Sequence, residues 1–455
     1  MTADNASFVQ YGLWFGALAI ACGLLYYRNF TEAGTPKPPE FLAFQRLFLT
    51  VYYCMFMADW MQGPYVYALY AHYGFGKGEI GQLFIMGFGS SLIFGTFVGG
   101  LADKYGRKAN CLIFVVLYSI GCLTKHFNNY WILMLGRLVG GISTSILYSA
   151  FETWMIHEHK SFNFSEDNMK STFSLMTFGS GLVAIIAGLV STFLASNFGY
   201  VAPFDGSLLL LISGGVFVYL NWKENYGDSN ALSSGFDNFS KSWRLLIASE
   251  KVLLLGVIQS CFESAMYIFV FMWTPALEQG GNVIPHGLVF ACFMVCLMIG
   301  SKLYEIVTQA RSEEQVMRWI FVISSMALAM PILTTDHTMI FCGFIVFEIC
   351  CGIYFPSVGT MRSRYIPEEV RSTVMNVFRM GLNVIVVVVL ININTLATDT
   401  VFLLCTFLLT AAVVCQHRLF VLVEQNSSVE NRAKAGLEVG EEMDDILSSK
   451  SNLTE

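Results

Sequence analysis

An all-α polytopic membrane protein, built as two six-helix bundles with one extra helix in front, is the fold class that the sequence predicts. Three observations predict it. Of 455 residues, 55% are hydrophobic and 13% charged, with a mean hydropathy of +0.58, whereas a soluble domain carries about 25% charged residues. A spanning helix needs about 20 apolar residues, and thirteen such segments separated by short polar turns can be read along the chain. Basic residues, finally, gather on alternate connections rather than on all of them.

The apolar segments run 8–27, 42–70, 79–101, 109–127, 130–157, 170–196, 205–222, 252–277, 284–308, 316–333, 338–361, 369–396 and 399–422. The first is read as a retained leading helix. Ala17, Ala19 and Ala21 would suit a signal cleavage site, but Met1 to Ser7 carries no basic residue. Between the third and fourth segments lies GGLADKYGRK, Gly99 to Lys108. Its glycines allow close approach and a tight turn, and its charges mark a membrane boundary where charged heads stay hydrated. The stretch fits the signature loop of the major facilitator superfamily, G-x-L-A-D-[KR]-x-G-[RK]-[RK]. That resemblance implies the major facilitator fold and makes Gly99, Asp103, Gly106, Arg107 and Lys108 candidates for a conformational gate. Because the loop joins the second and third of twelve helices in that superfamily, 42–70 becomes the first bundle helix and 8–27 the additional one.

With that helix starting inside, seventeen Lys and Arg residues, among them Lys104, Arg107, Lys108, Arg362, Arg364 and Arg371, fall on inner connections. Outer connections show Lys77 and Lys125. This is the positive-inside bias repeated over many loops. It runs the leading helix from outside to inside and places the C-terminus in the cytoplasm. The expected domains are a leading helix with its connector at 1–40, an N-terminal bundle at 41–222, a polar cytoplasmic linker at 223–251, a C-terminal bundle at 252–423, and a disordered acidic tail at 424–455. The halves show weak internal similarity at an offset of about two hundred residues, as inverted or repeated transporter halves do. Asp59, Val66 and Tyr67 align with Glu263, Val270 and Phe271.

All twelve cysteines lie in apolar segments without paired spacing and read as small core residues rather than as disulfides or metal ligands. No phosphate-binding loop or nucleophile elbow is present. The sequence therefore predicts no enzyme, no cofactor, no metal and no nucleic acid partner. In His157-Glu158-His159 the two histidines are two residues apart and point to different sides of a helix, so the stretch reads as a solvated helix end.

Ionisable residues inside spans cost about 2.5–3.5 kcal/mol each on insertion scales and ask for a reason. Asp59, Arg137, Glu152, Glu263, Glu348 and Arg379 stand out. At about 1.5 Å per residue, Glu263, Glu348 and Arg379 fall roughly 15–18 Å from their helix ends, near the middle of a core about 30 Å thick. Arg137 and Asp59 sit in the outer half, and Glu152 near the inner end. Arginine supplies a permanently charged planar fork for an anion, so Arg137 and Arg379 are candidate substrate contacts, with Tyr65 and Tyr67 as candidate cavity walls. The competing reading pairs these arginines with Glu348, Asp59 or Glu263. Buried carboxyls can also take up and release protons, which makes Asp59, Glu263, Glu348 and Glu152 candidates for proton coupling.

The stretches ADWMQGPYVYALY (Ala58 to Tyr70), GRLVGGIST with SAFETWMIHEH (Gly136 to His159), GVIQSCFESAMYIFVFMWTPAL (Gly256 to Leu277) and CGIYFPSVGTMRSRYIPE (Cys351 to Glu368) closely resemble the molybdate-anion transporter family, a branch of that superfamily. The resemblance covers about residues 40–420. It implies uptake of molybdate. Taken with the buried charges, the expected mechanism is alternating access by a monomer embedded in the bilayer, with the buried carboxyls as candidates for proton coupling. The expected location is the plasma membrane, with the vacuole or another endomembrane as alternatives. Carriage of another anion such as sulfate or an organic anion, or anion sensing without transport, remain the rival functions. In the second half, GSKLYEIVTQAR lacks the acidic residue and the terminal basic cluster of the signature, so no symmetrical second gate is expected.

Overall fold

The computed structural model describes residues 3–27, 37–226, 248–281 and 283–451. Helix α1 (Ala3–Tyr27) precedes an N-terminal bundle of α2 (Pro39–His72), α3 (Lys77–Tyr105), α4 (Arg107–Leu123), α5 (Tyr130–Leu147), α6 (Ala150–Ser161), α7 (Glu166–Phe198) and α8 (Ala202–Asn221). The C-terminal bundle holds α9 (Glu250–Leu277), α10 (His286–Val307), α11 (Glu313–Leu328), the single turn α12 (Met330–Leu333), α13 (His337–Tyr365), α14 (Glu368–Ile391) and α15 (Thr398–Ser451). Among the described residues, eleven helical stretches are long and apolar enough to cross a membrane. Helices α3 and α14 fill the other two places of the thirteen. The ends are called inner and outer here after the charge bias.

Polar side chains at the turns start several helices. Asn129 accepts from the amides of Trp131 and Ile132, Ser165 from Asn168, Ser312 from Gln315 and Asp336 from Thr338, satisfying amides that have no partner within the helix. The span expected as one helix over 130–157 is interrupted at Tyr148 and Ser149, between α5 and α6. Ser143, Thr144, Ser149 and Thr153 each bond back to the carbonyl four residues earlier. Such back-bonding competes with the helical ladder and bends it.

Two expectations about connections are corrected. Residues 223–226, assigned to the linker, fold against the N-terminal bundle; the remainder of that linker, 227–247, lies outside the described residues. The acidic tail, expected to be disordered, continues α15 as helix through Ser451. Its run of Ala, Leu, Glu and Lys without proline favours that state locally.

Helix α1 packs on the C-terminal bundle. The Tyr11 ring meets Phe341 edge-on at 4.9 Å, and Trp14 meets the same ring at 5.9 Å. At the outer end the Ser7 hydroxyl donates to the Val283 carbonyl, 2.8 Å; at the inner end Tyr26 donates to the Met298 carbonyl, 3.3 Å, and carries the Lys302 ammonium over its ring.

The two bundles touch mainly in their outer halves. Tyr65 of α2 lies 5.5 Å from His286 of α10, Tyr67 lies 5.3 Å from Phe271 of α9, Phe84 of α3 lies 5.2 Å from the same ring, and Phe88 lies 5.1 Å from Tyr267. Glycines permit the closest approach. A Cβ built on Gly188 of α7 would stand 2.6 Å from the Gly287 carbonyl of α10, and one on Gly81 of α3 would stand 3.1 Å from the Leu390 carbonyl of α14.

Candidate functional site

In the N-terminal bundle, the Tyr118 hydroxyl of α4 donates to Asp59 Oδ1 of α2 at 2.5 Å. Arg137 of α5 sends its Nε to the Leu83 carbonyl, 3.2 Å, and lays its guanidinium 4.6 Å over the Phe84 ring. Gly87 makes room for that fork, since a Cβ there would sit 3.0 Å from Arg137 Nη2. Tyr118 lies within electrostatic reach of both Asp59 and Arg137, so one hydroxyl links the acid and the base.

The C-terminal bundle repeats the theme with different partners. Glu263 Oε1 of α9 accepts from Tyr354 of α13 at 3.1 Å and from Arg362 Nη2 at 3.4 Å. Arg379 of α14 is exposed and within electrostatic reach of Glu263 and Tyr267. Tyr148, at the interruption between α5 and α6, is 53% exposed, yet Asp59 and Tyr52 of one bundle and Tyr267 of the other all lie within its electrostatic reach. Tyr148 therefore stands between residues of both bundles. Glu152 is exposed as well, near Tyr52.

Among the described residues no carboxylate comes within ion-pair distance of Arg137 or Arg379. The reading that ties these arginines to Glu348, Asp59 or Glu263 as ion pairs is thereby corrected. Glu263 has a different partner, Arg362, which the sequence had assigned to the inner basic fringe. Other candidates stand apart. Glu348 is 7% exposed and packs within the C-terminal bundle near Cys296 and Cys351, with no hydrogen-bond partner among the described residues. Tyr65 is 3% exposed and, with Tyr67, belongs to the outer contact between bundles rather than to an open wall.

At the proposed gate, the side chains of Gly99 and Asp103 lie outside the described residues. Gly106 has φ 110°, a conformation that favours glycine, and a Cβ there would meet the Glu224 carboxylate at 2.6 Å. Glu224 accepts from the amides of Lys108, 2.8 Å, and Ala109, 3.0 Å. It caps α4 with a carboxylate at the positive end of the helix. The Arg107 amide donates to the Asn225 carbonyl, 2.9 Å, and Lys108 Nζ to the Tyr219 carbonyl, 2.9 Å. Trp222 stacks on Trp154 at 3.7 Å and 9°, and Asn225 donates to Glu158 at 3.0 Å. His157 is exposed, but Glu158 and His159 are buried, which corrects their reading as a solvated helix end. Among the described residues no three metal-ligating side chains gather, and all twelve cysteines are free thiols.

The second half does carry an inner charge contact, with the signs exchanged. Arg364 at the end of α13 pairs with Glu313 at 3.1 Å and Glu314 at 2.8 Å at the start of α11. Sequence reasoning also missed Tyr118, Tyr148, Tyr354 and Arg362.

A sequence-family profile described as sugar transporters, 12 TM, matches residues 10–354, and another described as Major Facilitator Superfamily matches residues 278–450. The chain is similar to a Molybdate-anion transporter of Xenopus tropicalis, 33% identical over 93% of this chain and 96% of that one. It is similar to a second protein of that name from Takifugu rubripes, 35% identical over 81% and 84%. Among solved structures, a POT family transporter in complex with 5-aminolevulinic acid covers 84% of this chain and 96% of its own with TM-score 0.68 at 12% identity, a likeness of fold alone.

Proposed function

The chain belongs to the molybdate-anion transporter family of the major facilitator superfamily and is a membrane transporter, not an enzyme; from that premise we propose that it carries molybdate across the bilayer by alternating access, coupled to protons. The observation that supports this reading above the others is the pair of arginines without carboxylate partners within ion-pair distance among the described residues, Arg137 and Arg379, one in each bundle. A cation held in a low-dielectric wall without a counter-charge is costly. A tetrahedral dianion between the two forks supplies that counter-charge with charge-assisted hydrogen bonds.

On this reading the packed outer halves are the closed gate of an inward-facing state. Substrate leaves toward the inner end, where Gly106, Arg107 and Lys108 hold α4 on the 222–225 segment and, with Gly99 and Asp103, would close the opposite state. Moving a dianion inward against about 100 mV costs about 4.6 kcal/mol, twice the roughly 2.3 kcal/mol per charge; two accompanying protons cancel that and a third reverses it. Asp59, Glu263 and Glu348 are the proposed carriers, with Glu152 at the inner mouth. A monomer in the plasma membrane suffices for this cycle. The test is uptake of labelled molybdate into liposomes holding the purified protein, with pH gradient and voltage imposed separately. Saturable uptake that excess sulfate competes weakly is expected; no saturable uptake under any gradient refutes molybdate as cargo, and equal competition by sulfate makes it a general oxyanion carrier.

A further inference from the structure

Arg362 stands three residues from the end of α13, where a cation would ordinarily reach outward to water. Its guanidinium instead turns into the bundle, with 22% of the side chain exposed, and touches Glu263 Oε1 through a single contact of 3.4 Å. Its Nε is buried with no hydrogen-bond partner among the described residues. A guanidinium has five N–H donors in a fixed fork, and a buried pair repays desolvation only when geometry is good and the remaining donors are satisfied. This pair meets neither condition. Glu263 Oε1 is, moreover, shared with the Tyr354 hydroxyl.

Gln259, one turn before Glu263 on α9, is 2% exposed, and its side-chain amide bonds the Glu263 carboxylate. The ionised acid is thus met by two neutral side chains, Gln259 and Tyr354, and holds its cation only loosely.

We propose that Arg362 is a third anion-binding arginine, held by ionised Glu263 and released to the substrate when Glu263 takes up a proton. The proposal rests on the anion-transport reading above and names how its charge balance is kept. With Glu263 ionised, its negative charge competes with an incoming dianion for Arg362 and Arg379. With Glu263 protonated, that competing charge is gone and the Arg362 guanidinium is free to meet the dianion. The charged and titratable groups facing Glu263 are Arg362, Arg379, Tyr354 and Tyr267. The phenols keep their protons throughout, so one proton moves per anion at this position.

The experiment measures equilibrium binding of molybdate to the purified full-length protein at about pH 5.5 and about pH 8.5, with sulfate as a second dianion, together with counterflow and pH-driven accumulation in liposomes. Wild type is expected to bind more tightly at the lower pH. Glu263→Gln should narrow the difference in affinity between the two pH values and weaken accumulation driven by the pH gradient. Arg362→Ala should weaken binding at the lower pH by about 10- to 100-fold, the range of one charge-assisted hydrogen bond, and Arg362→Lys should restore part of it. Should Arg362→Ala fail to fold, Glu263→Gln and Arg362→Lys still decide. A wild-type pH profile in Glu263→Gln, or wild-type affinity in monodisperse Arg362→Ala, overturns the inference while leaving molybdate transport standing. Wild type that binds sulfate with this pH dependence and ignores molybdate upholds the inference and overturns the cargo.

Discussion

Replacing Gly188 by alanine should hold the transporter open at its outer end. The added Cβ would stand 2.6 Å from the Gly287 carbonyl and 3.1 Å from the Ala291 amide of α10, where carbon and its neighbours rest at about 3.5 Å. Helices α7 and α10 must therefore part by somewhat under about 1 Å. Nothing in the contact can yield, because both atoms belong to backbone. Overpacking of this kind costs about 1–3 kcal/mol, and here it falls on one conformation alone, the one in which the outer halves touch. The helix-propensity gain of glycine to alanine, up to about 1 kcal/mol, applies to both conformations and cancels. The equilibrium should shift toward outward-facing by about 5- to 150-fold. The assay is labelling of a single cysteine placed at Phe290, which lies 5.9 Å from Trp60 inside the outer contact, by a membrane-impermeant maleimide in a background without reactive thiols. Labelling should quicken and the maximal uptake rate should fall. Gly16→Ala is the matched control, since a Cβ there meets nothing within 4 Å and should change neither. Unchanged labelling in Gly188→Ala would show that the packed outer halves are not a gate.

Three further outcomes are expected. Glu224→Ala removes the carboxylate that accepts from Lys108 and Ala109 and should lower stability by about 0.5–2 kcal/mol, read as a lower melting temperature in detergent with molybdate affinity unchanged; an unchanged melt refutes the cap. Tyr118→Phe leaves Asp59 without its 2.5 Å donor and should cost about 1–3 kcal/mol, while adding Asp59→Asn should cause little extra loss; full additivity in that double-mutant cycle would mean the two residues act separately. Tyr11→Ala empties a site that is 7% exposed and edge-on to Phe341 and should destabilise the protein by about 3–5 kcal/mol, whereas a leading helix that merely anchors the chain would tolerate it without a change in melting.

The helices were legible because hydrocarbon leaves the backbone few alternatives: thirteen apolar runs read as thirteen spans, and the extra one fell in front because the Gly99 to Lys108 loop fixed the count. The interruption at Tyr148 was not legible, since it arises from four hydroxyls bonding back along an apolar segment of ordinary length. Arg137 and Arg379 stood out in the sequence as rare charges in apolar surroundings. Arg362 did not, because three residues from a helix end it looks like one more member of the basic fringe, and only the fold shows its fork turned inward to Glu263. Tyr65 and Tyr67 misled for the opposite reason. An aromatic on a cavity helix reads the same whether it lines the open part or the closed part, and their ring contacts with His286 and Phe271 place them in the closed part. The 222–225 segment looked like linker because its polar residues find their partners in α4 and α6, more than sixty residues away in sequence.

The matched charge pattern of the two bundles bears on how an empty carrier returns. Each bundle holds an acid satisfied by a tyrosine hydroxyl, Asp59 by Tyr118 and Glu263 by Tyr354, and each holds an arginine without a carboxylate within ion-pair distance among the described residues. Closing both gates over such an empty site would strand two guanidiniums in a shrinking volume of water, and desolvating an unpaired ion costs several kcal/mol. Closing over a bound dianion strands no net charge from those two arginines. On this reading occupancy lowers the barrier to occlusion, and the empty form crosses slowly unless a carboxylate takes the anion's place. Glu263, within electrostatic reach of Arg379, is placed to do so once it has given up its proton. The return step is then the deprotonated one, and the same acid that admits the anion as a neutral group resets the carrier as a charged one.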